Sequence, residues 1–221
     1  MNIETIKAAK HICIKTQGDS FAMASSLYTY VLTLHKKVSI VSFEDVDVKF
    51  SHLSWFDKLR AIVPSSADTI LEINFNTQKL YDFFKINSIK INKKMATSLY
   101  TSLLVEHKNF QKNDVNGMVF ALASELIELG ADYKLSNEYL NRRVGLSMFR
   151  LRAILFKNFL LTKDATSVEV FISDDELHSS GASLNDVYPI LEEFFTLVNV
   201  TEVTLLKSDE SNKILTNLKE S

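Results

Sequence analysis

The chain reads as an α/β protein: a Rossmann-like, mainly parallel sheet with helices on both faces, followed by a smaller α/β domain. Three observations carry that reading. Ile12-Cys13-Ile14 is a β-rich run, apolar residues at helical spacing come next, and Val38-Ser39-Ile40-Val41 is a second β-rich run; together they form a βαβ unit, which implies parallel strands. With 221 residues that are 46% hydrophobic, the chain can bury one sizeable core or two smaller ones. The segment "TKDATS", residues 162–167, is polar and has no periodic apolar residue, so the domain boundary is expected there, with residues 1–161 in the first domain and 162–221 in the second.

Each element has a local reason. Ala24, Leu27, Tyr28, Val31 and Leu32 lie on one face of the first long helix. Thr69 to Ile73 reads as a strand after "PSSAD". Met95 to Val105 reads as a helix with Ala96, Leu99, Tyr100, Leu103 and Leu104 on one side, and Asn92 is placed to cap it. In the next helix Val115, Val119, Leu122, Leu126 and Leu129 are in phase, with Gly130 just past its end. Residues 141–161 read as mainly helical. Beyond the boundary, Ser167 to Ser173 reads as a strand, Asp186 to Phe195 as a helix and Thr201 to Lys207 as a second strand. No repeat or low-complexity segment interrupts this order.

Charge and composition exclude several function classes. A formal net charge of −2 gives no electrostatic source for extended duplex binding, although a short or single-stranded nucleic acid remains compatible. The single Cys13 cannot form an internal disulfide; it reads as a small buried hydrophobe and fits a reducing compartment. The first ten residues mix charges and lack the apolar stretch of a secretory signal. Residues 20–34 are uncharged, but the stretch is shorter than the ~20 apolar residues of a membrane span and contains Ser, Thr and Tyr. The expected location is cytoplasmic, without membrane insertion.

Three segments carry a family resemblance through their order. Residues 15–25, "KTQGDSFAMAS", follow the first strand; residues 66–80, "SADTILEINFNTQKL", contain another; residues 96–110, "ATSLYTSLLVEHKNF", lie in a helix and its exit. Together they resemble the DHH phosphoesterases, the family of RecJ-like exonucleases and nanoRNase-like enzymes, over most of the chain from Ile12 onward. The first segment is similar to H-x-N-P-D-G-D-A-x-G-S: Asp19, Ala22 and Ser25 match, Lys15 stands in place of a metal-binding His, and Phe21 in place of the second Asp. In the second segment Asn74 replaces a ligand Asp. In the third, Glu106-His107-Lys108 stand in place of Asp-Thr-Gly, while Phe110 is kept. The Asp-His-His triplet expected between Leu80 and Met95 is absent, and so is the Gly-Gly-Gly-His segment of the second domain. "NKILTNLKES" is similar to the strand that precedes that segment, which makes the second domain look foreshortened.

The resemblance implies a two-metal Mn²⁺ phosphodiesterase, in which several carboxylates and imidazoles hold two ions ~3.5–4 Å apart. A Phe offers no lone pair and an amide only a neutral one, so the expectation is that Mn²⁺ and catalysis are lost and that no catalytic residue remains. The retained Asp19 also has a structural reason, as a helix N-cap. His11, His35, His52, His107 and His178 show no metal-ligand spacing.

Two further clusters stand out. Arg142, Arg143, Arg150 and Arg152 surround Phe149 and make either an anion or single-strand patch or a solvated helix face. Phe50, Trp55 and Phe56 are either a protein-interaction patch or core. The functional expectation is a catalytically degenerate DHH-like protein that acts on a protein partner or as a homo-oligomer, in a scaffold or regulatory role. The alternative is a residual metal-dependent phosphoesterase for short oligonucleotides or small phosphate esters. A third reading, nucleotide binding at the helix that starts near Asp19, is opposed by the carboxylate itself.

Overall fold

The computed structural model describes residues 1–141, 144–210 and 212–219. It divides into two compact units, Met1–Arg143 and Val144–Ser221.

In the first unit the order is α1 (Ile3–Ala8), β1 (His11–Thr16), α2 (Phe21–Thr33), β2 (Lys37–Ser42), β3 (Leu59–Arg60), β4 (Thr69–Glu72), α3 (Thr77–Ile86), α4 (Lys93–Glu106), α5 (Gly117–Glu128) and α6 (Tyr133–Asn141). The strands form one sheet in the order β3-β2-β1-β4, with every pairing parallel. Ile12 and Ile14 of β1 and Val38 and Ile40 of β2 share the face that enters the core cluster. Helix α2 packs on that face, α4 packs on α2, and α5 and α6 pack on α4. This layering explains why α2 has no charged residue and is buried on nearly all sides from Phe21 to Val31. Small hydroxyl residues let the helices approach: Ser25 Oγ lies 3.0 Å from Ser98 Oγ across the α2–α4 contact.

Asparagine caps set four helix starts, the first at Asn2, whose side chain accepts from Glu4 N–H at the head of α1. The side chains of Asn76, Asn92 and Asn116 accept from the backbone N–H of Lys79, Met95 and Met118, respectively. Helix α5 stops in a Schellman arrangement: Ala131 N–H reaches Leu126 O, Gly130 N–H reaches Ile127 O, and Gly130 takes the required positive φ of 91°.

The other face of the sheet differs from expectation. Since β3 and β4 are opposite edges, residues 61–68 must pass over β2 and β1, and Ser66 Oγ bonds both His11 Nδ1 and Lys37 Nζ on that face. A coil crosses here, where helices were expected on both faces of the sheet.

The second unit contains α7 (Leu146–Lys157), β5 (Phe159–Thr162), β6 (Ser167–Ile172), α8 (Asp174–Ser180), α9 (Val187–Glu193), β7 (Glu202–Lys207) and β8 (Lys213–Lys219). The sheet order is β5-β6-β7-β8; β6 and β7 are parallel, and β5 and β8 add antiparallel strands at the edges. Val168, Val170, Ile172, Val203 and Leu205 form its core with Leu151 and Leu155 of α7 and Ile190 and Phe194.

The units therefore divide at 143/144, whereas the sequence reading put the boundary at 161/162 and continued the helix to Leu161. The helix ends at Lys157, and Phe159-Leu160-Leu161 is a strand. The polar segment taken for a linker is a hairpin turn in which Lys163, Asp164 and Ala165 all have positive φ. Among the described residues no helix is long and apolar enough to cross a membrane.

Candidate functional site

The chain leaves β1 toward β2 and later returns to place β4 on the other side of β1, so the carboxyl ends of β1 and β4 form a topological switch point. A cavity of about 190 Å³ lies there, lined by Lys15, Thr16, Gln17 and Ser20 from the end of β1 and its loop, Phe43 after β2, and Glu72, Ile73 and Asn74 at the end of β4. Lys15 and Glu72 are register partners on adjacent strands, and Lys15 Nζ lies 2.9 Å from Glu72 Oε1. The same ammonium sits 5.4 Å from the Phe43 ring centroid. Both charges are open to solvent, so the pair contributes less than about 1 kcal/mol. The loop is held from within: Thr16 Oγ1 lies 2.7 Å from Ser20 Oγ, which donates to Gln17 O at 2.8 Å and accepts from Gln17 N–H at 3.0 Å. The lining thus offers one paired cation and anion, the side-chain amides of Gln17 and Asn74, and the hydroxyls of Thr16 and Ser20.

Of the residues that the sequence resemblance aligns with metal-ligand positions, Lys15 and Asn74 line this cavity and the others do not. Asp19 pairs with Lys49, Oδ1 to Nζ at 2.8 Å. Phe21 is fully buried, with its ring centroid 6.1 Å from that of Phe50 and edge-on to Phe56 at 5.6 Å. Glu106 caps α3 by accepting from Thr77 N–H at 2.8 and 3.1 Å, and burial raises its carboxyl above the ordinary range against the pull of those bonds. His107 Nδ1 lies 3.2 Å from Asp114 Oδ1. Among the described residues no three His, Cys, Asp or Glu side chains gather in a group able to hold a metal ion. The donor set at the cavity does not fit a pair of hard dications, which need several anionic oxygens.

Glu72 is the site residue that sequence reasoning missed. Its signal, an opposite charge at the register position facing Lys15, becomes visible only once β1 and β4 are known to be neighbours.

The aromatic segment closes the core. Phe50 is fully buried, Phe56 packs on Phe21, and Trp55 stacks on Tyr28 at 5.0 Å while its Nε1 donates to Thr29 Oγ1 at 2.8 Å. Of the two readings left open by the sequence, the structure has the core one for Phe50. In the arginine cluster, Arg142 and Arg143 lie outside the described residues, Arg150 is exposed, and Arg152 is paired with Glu193 at 2.6 Å.

Near the core, the half-buried His52 lies between Lys49 O at 2.9 Å and Thr101 Oγ1 at 3.3 Å, with its ring against Tyr139. Burial pushes its imidazole below the ordinary value of 6.5, outweighing the Lys49 carbonyl and Asp132, which both favour the charged form. The unfolded chain therefore takes up this proton first. The contribution of neutral His52 is complete above its unfolded value and is lost as pH falls through that value toward the folded one. Urea unfolding at pH 7 and pH 5 should show the parent losing stability on acidification, and His52→Gln losing less.

No family model matches the chain, and no curated protein matches it in sequence. Among solved structures, a Methanococcus jannaschii protein described as a family II inorganic pyrophosphatase aligns over 89% of this chain and 83% of its own at 11% identity, with a TM-score of only 0.34. An exopolyphosphatase-related protein from Bacteroides fragilis aligns over 96% of this chain and 79% of its own, with a TM-score of 0.75 at 13% sequence identity. That second likeness shows the fold: a parallel α/β unit followed by a smaller α/β unit.

Proposed function

We propose that this chain is a DHH phosphoesterase-like protein whose metal centre has been dismantled and whose role is interaction, as a scaffold or regulatory partner. The observation that carries the reading is the chemistry at the switch point. The pocket holds a Lys15–Glu72 ion pair and the Asn74 amide, and Phe21 is packed into the core with Phe50 and Phe56. A fold can outlast the site it once carried. The likeness to an exopolyphosphatase-related protein supports the ancestry part of the proposal through the fold. Phe120 and Ile127, seven residues apart on α5, are exposed on one side of that helix and support the interaction part.

Light scattering on the purified chain, with native mass spectrometry on the chain recovered from its own cells, tests the role. The expected result is a stoichiometric assembly, with itself or with one partner, that Phe120→Glu weakens at least tenfold. A chain that is monomeric and partner-free in both measurements contradicts the proposal.

A second reading, a residual phosphoesterase for short oligonucleotides or small phosphate esters, is favoured by one observation: the cavity with Lys15 at the switch point. Chelator-sensitive turnover of a dinucleotide would select it.

A further inference from the structure

Away from the switch-point pocket, at the amino end of the parallel sheet, lies a second group of reactive side chains. His11 opens β1 and is buried, with 3% of its surface exposed. Its Nδ1 lies 2.9 Å from Ser66 Oγ and its Nε2 2.9 Å from Ser39 Oγ. Lys37, the register partner of His11 on β2, donates from Nζ to the same Ser66 Oγ at 3.0 Å. Ser66 itself is exposed, on the coil that crosses the sheet. Asp68 pins the end of that coil, accepting from the backbone N–H groups of Lys10 at 2.9 Å and His11 at 3.2 Å.

We propose that Ser66 is an activated nucleophile, with His11 as its general base and Ser39 as the group that orients the ring, and that it accepts the acyl group of small carboxylic esters. With the ring proton on Nε2, that nitrogen donates to Ser39 and leaves Nδ1 to accept from the Ser66 hydroxyl. This is the nucleophile–base–orienter arrangement, with a hydroxyl in the orienting place. The Lys37 ammonium, which cannot accept, supplies positive charge beside the reacting oxygen. In the step, Ser66 Oγ bonds to the ester carbonyl carbon, the C=O π pair moves to oxygen, and the hydroxyl proton passes to His11 Nδ1. Collapse of the oxyanion breaks the ester C–O bond, and the leaving alcohol takes that proton. Water then adds to the acyl-serine, gives a proton to Nδ1, and releases the carboxylic acid while Ser66 regains its proton. The assignment is independent of the pocket and of the interaction role.

The test uses the full chain and an alkyl fluorophosphonate, which Ser66 attacks at phosphorus with loss of fluoride. Intact mass and peptide mapping should show one label, on Ser66 and not on the adjacent Ser65, and Ser66→Ala should remove it. His11→Gln should slow labelling at least about a hundredfold. Ser39→Ala, which keeps the ring, should slow it severalfold, and p-nitrophenyl acetate hydrolysis should fall in parallel. Circular dichroism checks that each variant is folded. Equal labelling of Ser65 and Ser66 would overturn the proposal, as would a rate unchanged in Ser39→Ala together with any folded His11 variant, or a label lost in Lys37→Met but kept in His11→Gln.

Discussion

Phe21→Asp should melt far below the parent, at a cost of about 4 kcal/mol or more, and adding Asn74→Asp should bring no phosphodiesterase activity. Phe21 is fully buried and its ring contacts those of Phe50 and Phe56. Removing a buried aromatic ring costs about 3–5 kcal/mol, and the carboxylate that replaces it would be desolvated among apolar rings, while the Lys49 ammonium, 5.1 Å from the Phe50 ring centroid, is already paired with Asp19. Placing acids at the two positions that the sequence resemblance aligns with ligands still supplies no imidazoles, so ions would be under-coordinated and rate enhancement should stay at background. Thermal melts with turnover assays on the single and double variants check both statements. A double variant that is stable and gains metal-dependent turnover would show that the site is only two substitutions from function.

Trp55→Ala should cost about 3 kcal/mol, near the lower end for buried aromatics because the ring is half-buried. Three contacts are lost together: the stack on Tyr28 at 5.0 Å, the hydrogen bond to Thr29 Oγ1 at 2.8 Å, and the Lys94 ammonium 4.9 Å from the ring. Trp55 also holds a left-handed φ of 74°, which an Ala would have to keep without those contacts. Denaturant unfolding followed by intrinsic fluorescence of the tyrosines, or by circular dichroism, measures the loss. A change below about 1 kcal/mol would return Trp55 to the surface and revive the interaction-patch reading.

The parallel sheet was legible because its strands and helices differ in period: Ile12 to Ile14 and Val38 to Val41 read as strands, the helix between them repeats at 3.6, and Asn92 marks the start of α4. The second boundary was not. Phe159-Leu160-Leu161 is a short apolar run, which periodicity alone cannot assign, and polar residues serve a hairpin turn as well as a linker. Helices α3 and α6 were not read from the sequence, although α3 carries Leu80, Tyr81 and Phe84 on one face behind the Asn76 cap. At the site, Lys15 and Asn74 followed from motif order, since each sits at a strand end that the pattern already places. Glu72 and the Phe21–Phe50–Phe56 cluster depend on which distant segments meet, and no local signal encodes that.

The central proposal is that the residues around the switch point do not assemble a two-metal centre. Element analysis by mass spectrometry of the chain purified with Mn²⁺ present, followed by incubation with a dinucleotide and a cyclic dinucleotide, tests it directly. The account predicts no stoichiometric Mn²⁺ and no hydrolysis above background. About two Mn²⁺ per chain, with turnover abolished by a chelator, would contradict it.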